Sequence, residues 1–133
     1  MPSDRVPARR IVDQRIRNRI IEYLELASSF DAQRAYQARA PVSVPSELIN
    51  QWEDWVSDPN SPVFARPPFS AAEREAILSF HCVWDSVASA TPDPLPPLEQ
   101  TLQLPQWSEL RRAAERALCV FTVQGRLPED REV

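Results

Sequence analysis

The residues with the clearest potential for chemistry are the single histidine, His81, and the carboxylate that follows it by four positions, Asp85. Side chains four residues apart share one face of a helix, and a carboxylate so placed can orient an imidazole for general-base catalysis. No nucleophile or second acid in a recognisable motif accompanies the pair. We therefore expect His81 to be a structural residue at a helix edge and assign no catalytic residue. An enzyme without a recognisable motif stays an alternative.

Metal and cofactor chemistry lack the residues they require. Cys82 and Cys119 are far apart in the sequence, and two such cysteines with one histidine do not make a zinc set. Gly125 is the only glycine, whereas phosphate-binding loops need several. We predict no metal site and no cofactor, and we expect the two thiols to be reduced in a cytoplasmic protein.

The charges are unevenly distributed along the chain, whose net charge is −4. Residues 1–21 contain six arginines and two aspartates, whereas residues 22–133 contain nine arginines and seventeen acids. There is no lysine, which is a bias typical of GC-rich bacterial genomes. A globally acidic chain is a poor general binder of nucleic acid, so we expect a partner to be another protein, of basic character.

An acidic segment with two tryptophans, from Glu47 to Asp58, is the first candidate surface. An exposed aromatic anchor beside acidic groups would suit the capture of a basic protein. The competing interpretation, which the helical spacing favours, is that both tryptophans belong to the core. The predicted protein-binding residues are Glu47, Trp52, Glu53, Asp54, Trp55 and Asp58.

The arginine-rich first helix is the second candidate surface, with Arg9, Arg10 and Arg17 as possible anion-binding residues. Basic amphipathic helices can contact nucleic acid, anionic membranes or acidic proteins. This helix lacks the interleaved aromatics of a single-strand binder. Intramolecular pairing with the acidic remainder of the chain is the favoured interpretation, and a nucleic-acid-associated regulatory protein is the alternative.

Hydrophobic periodicity and proline positions predict the helices. Four main helices are expected near Ala8–Ser28, Ser46–Val56, Ser70–Ala90 and Pro105–Thr122, with short helices at 31–39 and 98–104. Ser70 and Glu73 have the spacing of a capping box, and Glu73 otherwise looks solvated. An ion pair between Asp13 and Arg17 is expected on the first helix.

Together these features predict an all-α protein. We expect an irregular bundle of four main helices plus one or two short helices, with long proline-rich loops, in a single domain spanning 1–133. Residues 1–7 and 126–133 are expected to be flexible ends. No stretch reaches the roughly 18 apolar residues of a transmembrane helix. The predicted function is that of a small, soluble, non-enzymatic protein-binding protein, in one form an antagonist or immunity-type regulator of another protein. The sequence leaves the oligomeric state open.

Overall fold

The computed structural model describes residues 8–133, and over this range the protein is all-helical, with six α-helices and no strand. The helices are α1 (Arg9–Ala27), α2 (Phe30–Arg39), α3 (Val44–Trp55), α4 (Ala71–Ala90), α5 (Leu98–Thr101) and α6 (Pro105–Thr122), with a 3-10 turn at Pro62–Ala65. The all-α prediction is confirmed. The predicted flexible segment 1–7 lies outside the described residues. None of the helices found between residues 8 and 133 is long and apolar enough to cross a membrane.

The helix starts follow the capping residues in the sequence. Ser70 Oγ accepts a hydrogen bond from the backbone N–H of Glu73, and the Glu73 carboxylate accepts one from the backbone N–H of Ser70, each at 3.1 Å. The predicted capping box therefore begins α4. Ser29 caps α2. Helix α3 begins two residues earlier than expected, because Ser43 is its N-cap and Pro45 occupies the second helical position.

Three aromatic rings form the centre of the core, where α1, α3 and α4 meet. Trp52 lies with its ring centroid 5.4 Å from that of Tyr23 and 4.6 Å from that of Phe80. Tilted and edge-to-face pairs of this kind stabilise beyond the area they bury. The Tyr23 hydroxyl donates to the carbonyl oxygen of Leu48 at 2.7 Å, and burial raises its pKa. The ring cluster fixes α3 against α1 and α4.

An ion pair between α1 and α4 lies inside the protein. The Arg17 side chain is 0% exposed, and its guanidinium donates to both carboxylate oxygens of Glu73, at 2.6 and 3.3 Å. The predicted pairing of Arg17 with Asp13 is wrong, because Asp13 pairs with Arg66 at 3.0 Å. The prediction of a solvated Glu73 is also wrong. A charge in the interior needs a counter-charge, and long-range packing supplies it here.

After α6 the chain turns at Gly125 and runs along α1 toward the start of that helix, from Asn18 to Arg10. Gly125, with φ +74°, occupies the left-handed region that favours glycine, and its N–H donates to the carbonyl of Phe121 at 2.8 Å. Residues 126–133, which we call the strap, then lie against α1. We expect this segment to be a flexible end from the sequence, but in the structure hydrogen bonds with α1 side chains hold it.

Candidate functional site

A groove of about 550 Å³ lies between α1, α2 and α3. We call it the Trp55 groove. The α3 wall carries three of the residues that the sequence assigned to protein binding, and the other two walls carry charged and aromatic side chains. The residues that matter to its chemistry are Glu47, Asp54 and Trp55 on α3, Tyr36 and Arg39 on α2, and Arg19 and Glu22 on α1.

Trp55 differs from the other three tryptophans in both burial and hydrogen bonding. The others are buried, and each indole N–H donates to an internal acceptor: Trp52 to Nδ1 of His81, Trp84 to the carbonyl of Ile49 and Trp107 to the side-chain oxygen of Gln33, at 3.0–3.1 Å. Trp55 is 38% exposed, and its indole N–H has no acceptor within residues 8–133. Trp55 therefore presents a partly exposed apolar ring and an indole donor that is free among the described residues.

The uncommitted charge on the α3 wall is negative. Asp54 is exposed and joins no ion pair in the described part of the chain, and the Glu47 carboxylate accepts only a hydrogen bond from the side chain of Gln51, at 3.1 Å. Across the groove, Arg19 is bound to Glu22 at 2.9 Å and also to the strap. The α3 wall thus remains open to a cation.

Arg39 supplies the positive charge of the opposite wall. Its guanidinium lies over the ring of Tyr36, 5.3 Å from the centroid, and it joins no ion pair within residues 8–133. A guanidinium stacked on an aromatic face keeps its charge and its outer donors. The groove therefore has an acidic wall on α3 and a basic wall on α2.

The other residues predicted for protein binding lie elsewhere. Trp52 is fully buried in the ring cluster, so only Trp55 of the two tryptophans reaches the surface. Glu53 is exposed but does not line the groove. Asp58 lies in the loop after α3, where its side chain accepts a hydrogen bond from the backbone N–H of Asn60 at 2.9 Å. The structure brings Glu47, Asp54 and Trp55 together and leaves these three residues apart from them.

The three arginines predicted to bind anions do not form one site. Arg17 is buried against Glu73. Arg9 and Arg10 lie at the start of α1 beside a carboxylate, Glu132, and Arg10 Nη2 donates to the carbonyl of Val133 at 2.7 Å. Much of the positive charge of α1 is therefore directed toward groups of the same chain.

His81 contacts two tryptophans and does not bind Asp85, the carboxylate whose spacing would suit general-base catalysis. Its Nδ1 accepts the indole N–H of Trp52 at 3.1 Å, and its ring lies 5.2 Å from that of Trp84. No hydrogen bond or ion pair joins His81 to Asp85 in the described structure. Likewise, residues 8–133 contain no group of three or more histidine, cysteine or acidic side chains that could hold a metal ion.

Sequence reasoning missed a second buried face of α1. Gln14 and Asn18 are 0% and 2% exposed and bind the strap. Two amide side chains spaced four residues apart, one turn after Arg10, are the signal that could have indicated a polar contact surface. Buried amides need hydrogen-bond partners, which the apolar stripe of α1 does not provide.

Comparisons with known proteins return nothing: no family model, no curated protein and no solved structure matches this chain.

Proposed function

We propose that the protein is a non-enzymatic binding protein that captures a basic segment of another protein in the Trp55 groove. The observation that carries the proposal is Trp55 itself, an exposed tryptophan whose indole N–H has no acceptor in residues 8–133, set in a groove beside Asp54 and Glu47. Tryptophan is among the residues that most often dominate protein–protein binding energy, with truncation costing about 2 kcal/mol or more at such positions.

The chemistry of the α3 wall selects the partner. A lysine or arginine of the bound segment would lie against Asp54 and Glu47, with its aliphatic part on the Trp55 ring. The core supports this arrangement, because the neighbouring Trp52 anchors α3 to Tyr23 and Phe80. The wall is thus held in place before a partner arrives, which lowers the entropic cost of binding.

In its concrete form, the proposed protein is an antagonist or immunity-type regulator that blocks a basic protein. Its scaffold in this proposal is an irregular bundle of the four long helices with proline-rich loops. The proposed compartment is the cytoplasm of a bacterium, and two exposed, unpaired cysteines, Cys82 and Cys119, are in keeping with a reducing environment. The nucleic-acid alternative has less support, since Arg17 is buried and Arg10 is bound to the strap.

Selection from a random twelve-residue peptide library on the immobilised protein tests the proposal. We expect the enriched peptides to carry net positive charge. A synthetic peptide of the consensus sequence should bind with an affinity that falls at least tenfold in Trp55→Ala and in Asp54→Lys, as measured by fluorescence anisotropy. Arg39→Glu should increase the affinity for the same peptide severalfold, because it removes positive charge from the opposite wall of the groove.

Glu75→Lys is the matched control, because Glu75 is an exposed helical acid in the groove between α4 and α6. It changes the net charge as Asp54→Lys does but leaves the Trp55 groove intact. An equal loss of affinity in Glu75→Lys and Asp54→Lys would mean that only net charge matters. Failure to enrich basic peptides, or full binding by Trp55→Ala, would overturn the proposal.

A further inference from the structure

The contact between α1 and the strap has the composition of a peptide-binding site. Asn18 holds both backbone polar groups of Leu127: its Nδ2 donates to the carbonyl oxygen at 2.8 Å, and its Oδ1 accepts the N–H at 3.0 Å. Gln14 donates to the carbonyls of Pro128 and Arg131 at 2.8 and 2.7 Å and accepts the N–H of Val133 at 3.0 Å. Two helical amides thus bind four residues of the strap through its backbone, which bends at residues 129–131.

Arginines add contacts on either side of the two amides. Arg15 Nε donates to the carbonyl of Glu129 at 2.9 Å, and Arg10 donates to that of Val133 at 2.7 Å. Arg19 forms an ion pair with the carboxylate of Glu129, which also accepts a hydrogen bond from Asn18. The site therefore recognises carbonyls in sequence and one acidic side chain.

The recognised chemistry is that of a peptide rather than of a nucleic acid. Carbonyl acceptors at neighbouring positions, together with two backbone N–H donors, are the polar groups of a polypeptide backbone. The strap carries three acids, Glu129, Asp130 and Glu132, and two arginines, Arg126 and Arg131. Charge adds to backbone recognition at two points, where Glu129 pairs with Arg19 and Arg126 pairs with Glu25.

We infer that the polar face of α1 is a binding site for a peptide that bends and carries a glutamate, and that the strap is its resident ligand. The occupant that fits is a partner segment with the same chemistry: a run of free backbone carbonyls with a glutamate at the position of Glu129. Such a segment would replace the strap on Gln14, Asn18 and Arg15. In the unaltered chain the tether at Gly125 gives the strap an effective concentration on the order of millimolar, so a free peptide competes poorly.

The test weakens the strap and supplies the peptide separately. Leu127→Pro in the full chain removes the backbone N–H that Asn18 accepts and leaves every α1 side chain in place. The probe is a fluorescein-labelled, acetylated and amidated peptide with the sequence of residues 124–133, QGRLPEDREV. We expect saturable binding to the Leu127→Pro chain and at least tenfold weaker binding to the unaltered chain, as measured by fluorescence anisotropy.

Two second-site variants show where the peptide binds. Adding Asn18→Leu to the Leu127→Pro chain should lower the affinity for the peptide at least tenfold. Adding Arg15→Gln, a change at an exposed residue, should lower the affinity severalfold without altering the fold. A scrambled peptide of the same composition should bind at least tenfold more weakly. Equal binding of the scrambled peptide, or no effect of either α1 substitution, would overturn the inference.

Folding is checked by circular dichroism and melting before any titration. Should Leu127→Pro prevent folding, Glu129→Lys takes its place. That substitution affects a partly exposed strap residue and removes only the ion pair with Arg19 and the bond from Asn18. A folded Leu127→Pro or Glu129→Lys chain that does not bind the peptide would show that the strap is packing alone and would refute the inference.

Discussion

The indole N–H of Trp52 donates to Nδ1 of His81 at 3.1 Å and so joins the fully buried tryptophan of α3 to the chain's one histidine on α4. The bond satisfies a donor that the ring cluster would otherwise bury without a partner. It also gives His81 a structural role in place of the catalytic role that its spacing from Asp85 suggested. The histidine thus belongs to the contact between α3 and α4, whereas the Trp55 groove lies between α1, α2 and α3.

We predict that His81→Leu destabilises the protein by about 1–3 kcal/mol, because the Trp52 N–H is left buried and unsatisfied. His81→Asn is the matched variant, since its side-chain oxygen can stand near the position of Nδ1. Urea unfolding should show a smaller loss of unfolding free energy for His81→Asn than for His81→Leu, even though leucine is the better helix former. An equal or larger loss in His81→Asn would show that the hydrogen bond contributes nothing.

The buried ion pair predicts strong coupling between Arg17 and Glu73. Arg17→Met should cost about 3–5 kcal/mol, because the Glu73 carboxylate then lies uncompensated in the interior. The double variant Arg17→Met with Glu73→Gln should lose much less stability than the sum of the losses in the two single variants. Urea unfolding of all four chains measures the coupling.

Arg66→Met provides the comparison for that cycle. Arg66 pairs with Asp13 at a similar distance, 3.0 Å, but its own side chain is partly exposed. We therefore expect a smaller loss, because water can partly replace the removed charge. Strict additivity of Arg17→Met and Glu73→Gln would contradict the assigned role of the buried pair.

The helices were predictable because local signals specify them. The Ser70–Glu73 capping box, the periodic apolar residues and the prolines all act within a few residues of the element they define. Helix α6 begins at Pro105 and ends at Thr122, as its proline and apolar spacing indicated. Such signals need no knowledge of the rest of the fold.

The contacts between distant segments were not predictable in the same way. The partner of Arg17 is 56 residues away, at Glu73, and the partners of Asn18 lie more than 100 residues away in the strap. Sequence spacing predicted an ion pair between Arg17 and Asp13, because spacing arguments consider only neighbours on the same helix. The candidate site was predicted in part, since Glu47, Asp54 and Trp55 are close in sequence, whereas the α2 wall with Arg39 comes from tertiary packing.

Exposure of Trp55 predicts a contrast between two tryptophan truncations. Trp84→Ala should cost about 3–5 kcal/mol, because it removes a buried ring and a hydrogen bond to the carbonyl of Ile49. Trp55→Ala should cost about 1 kcal/mol or less, since its ring is partly solvated and its N–H has no acceptor among residues 8–133. Thermal and urea unfolding compare the two. Similar losses would mean that Trp55 is a structural residue, which would remove the main support for the Trp55 groove as a binding site.

Attachment of the strap should depend on pH through Glu129. The hydrogen bond from Asn18 lowers the pKa of this carboxyl, and Arg19 acts in the same direction. Because the folded-state pKa is depressed, the ionised group stabilises the docked strap above the ordinary glutamate value of about 4.3. This contribution is lost as the pH falls through the lowered pKa. Amide chemical shifts of Leu127 and Val133 should therefore titrate with a midpoint below that ordinary value.

Glu129→Gln separates this carboxyl from the other acids of the strap. Glutamine keeps an acceptor for Asn18 but carries no charge for Arg19, so the strap of this variant should dock less firmly at neutral pH. Its Leu127 amide should show no transition of its own in the acidic range. If the Leu127 amide of Glu129→Gln titrated with the unaltered midpoint, a different acid would control the strap. The measurement thus links one side chain to the attachment of residues 126–133, since only Glu129 among the strap acids contacts both Asn18 and Arg19 in the described structure.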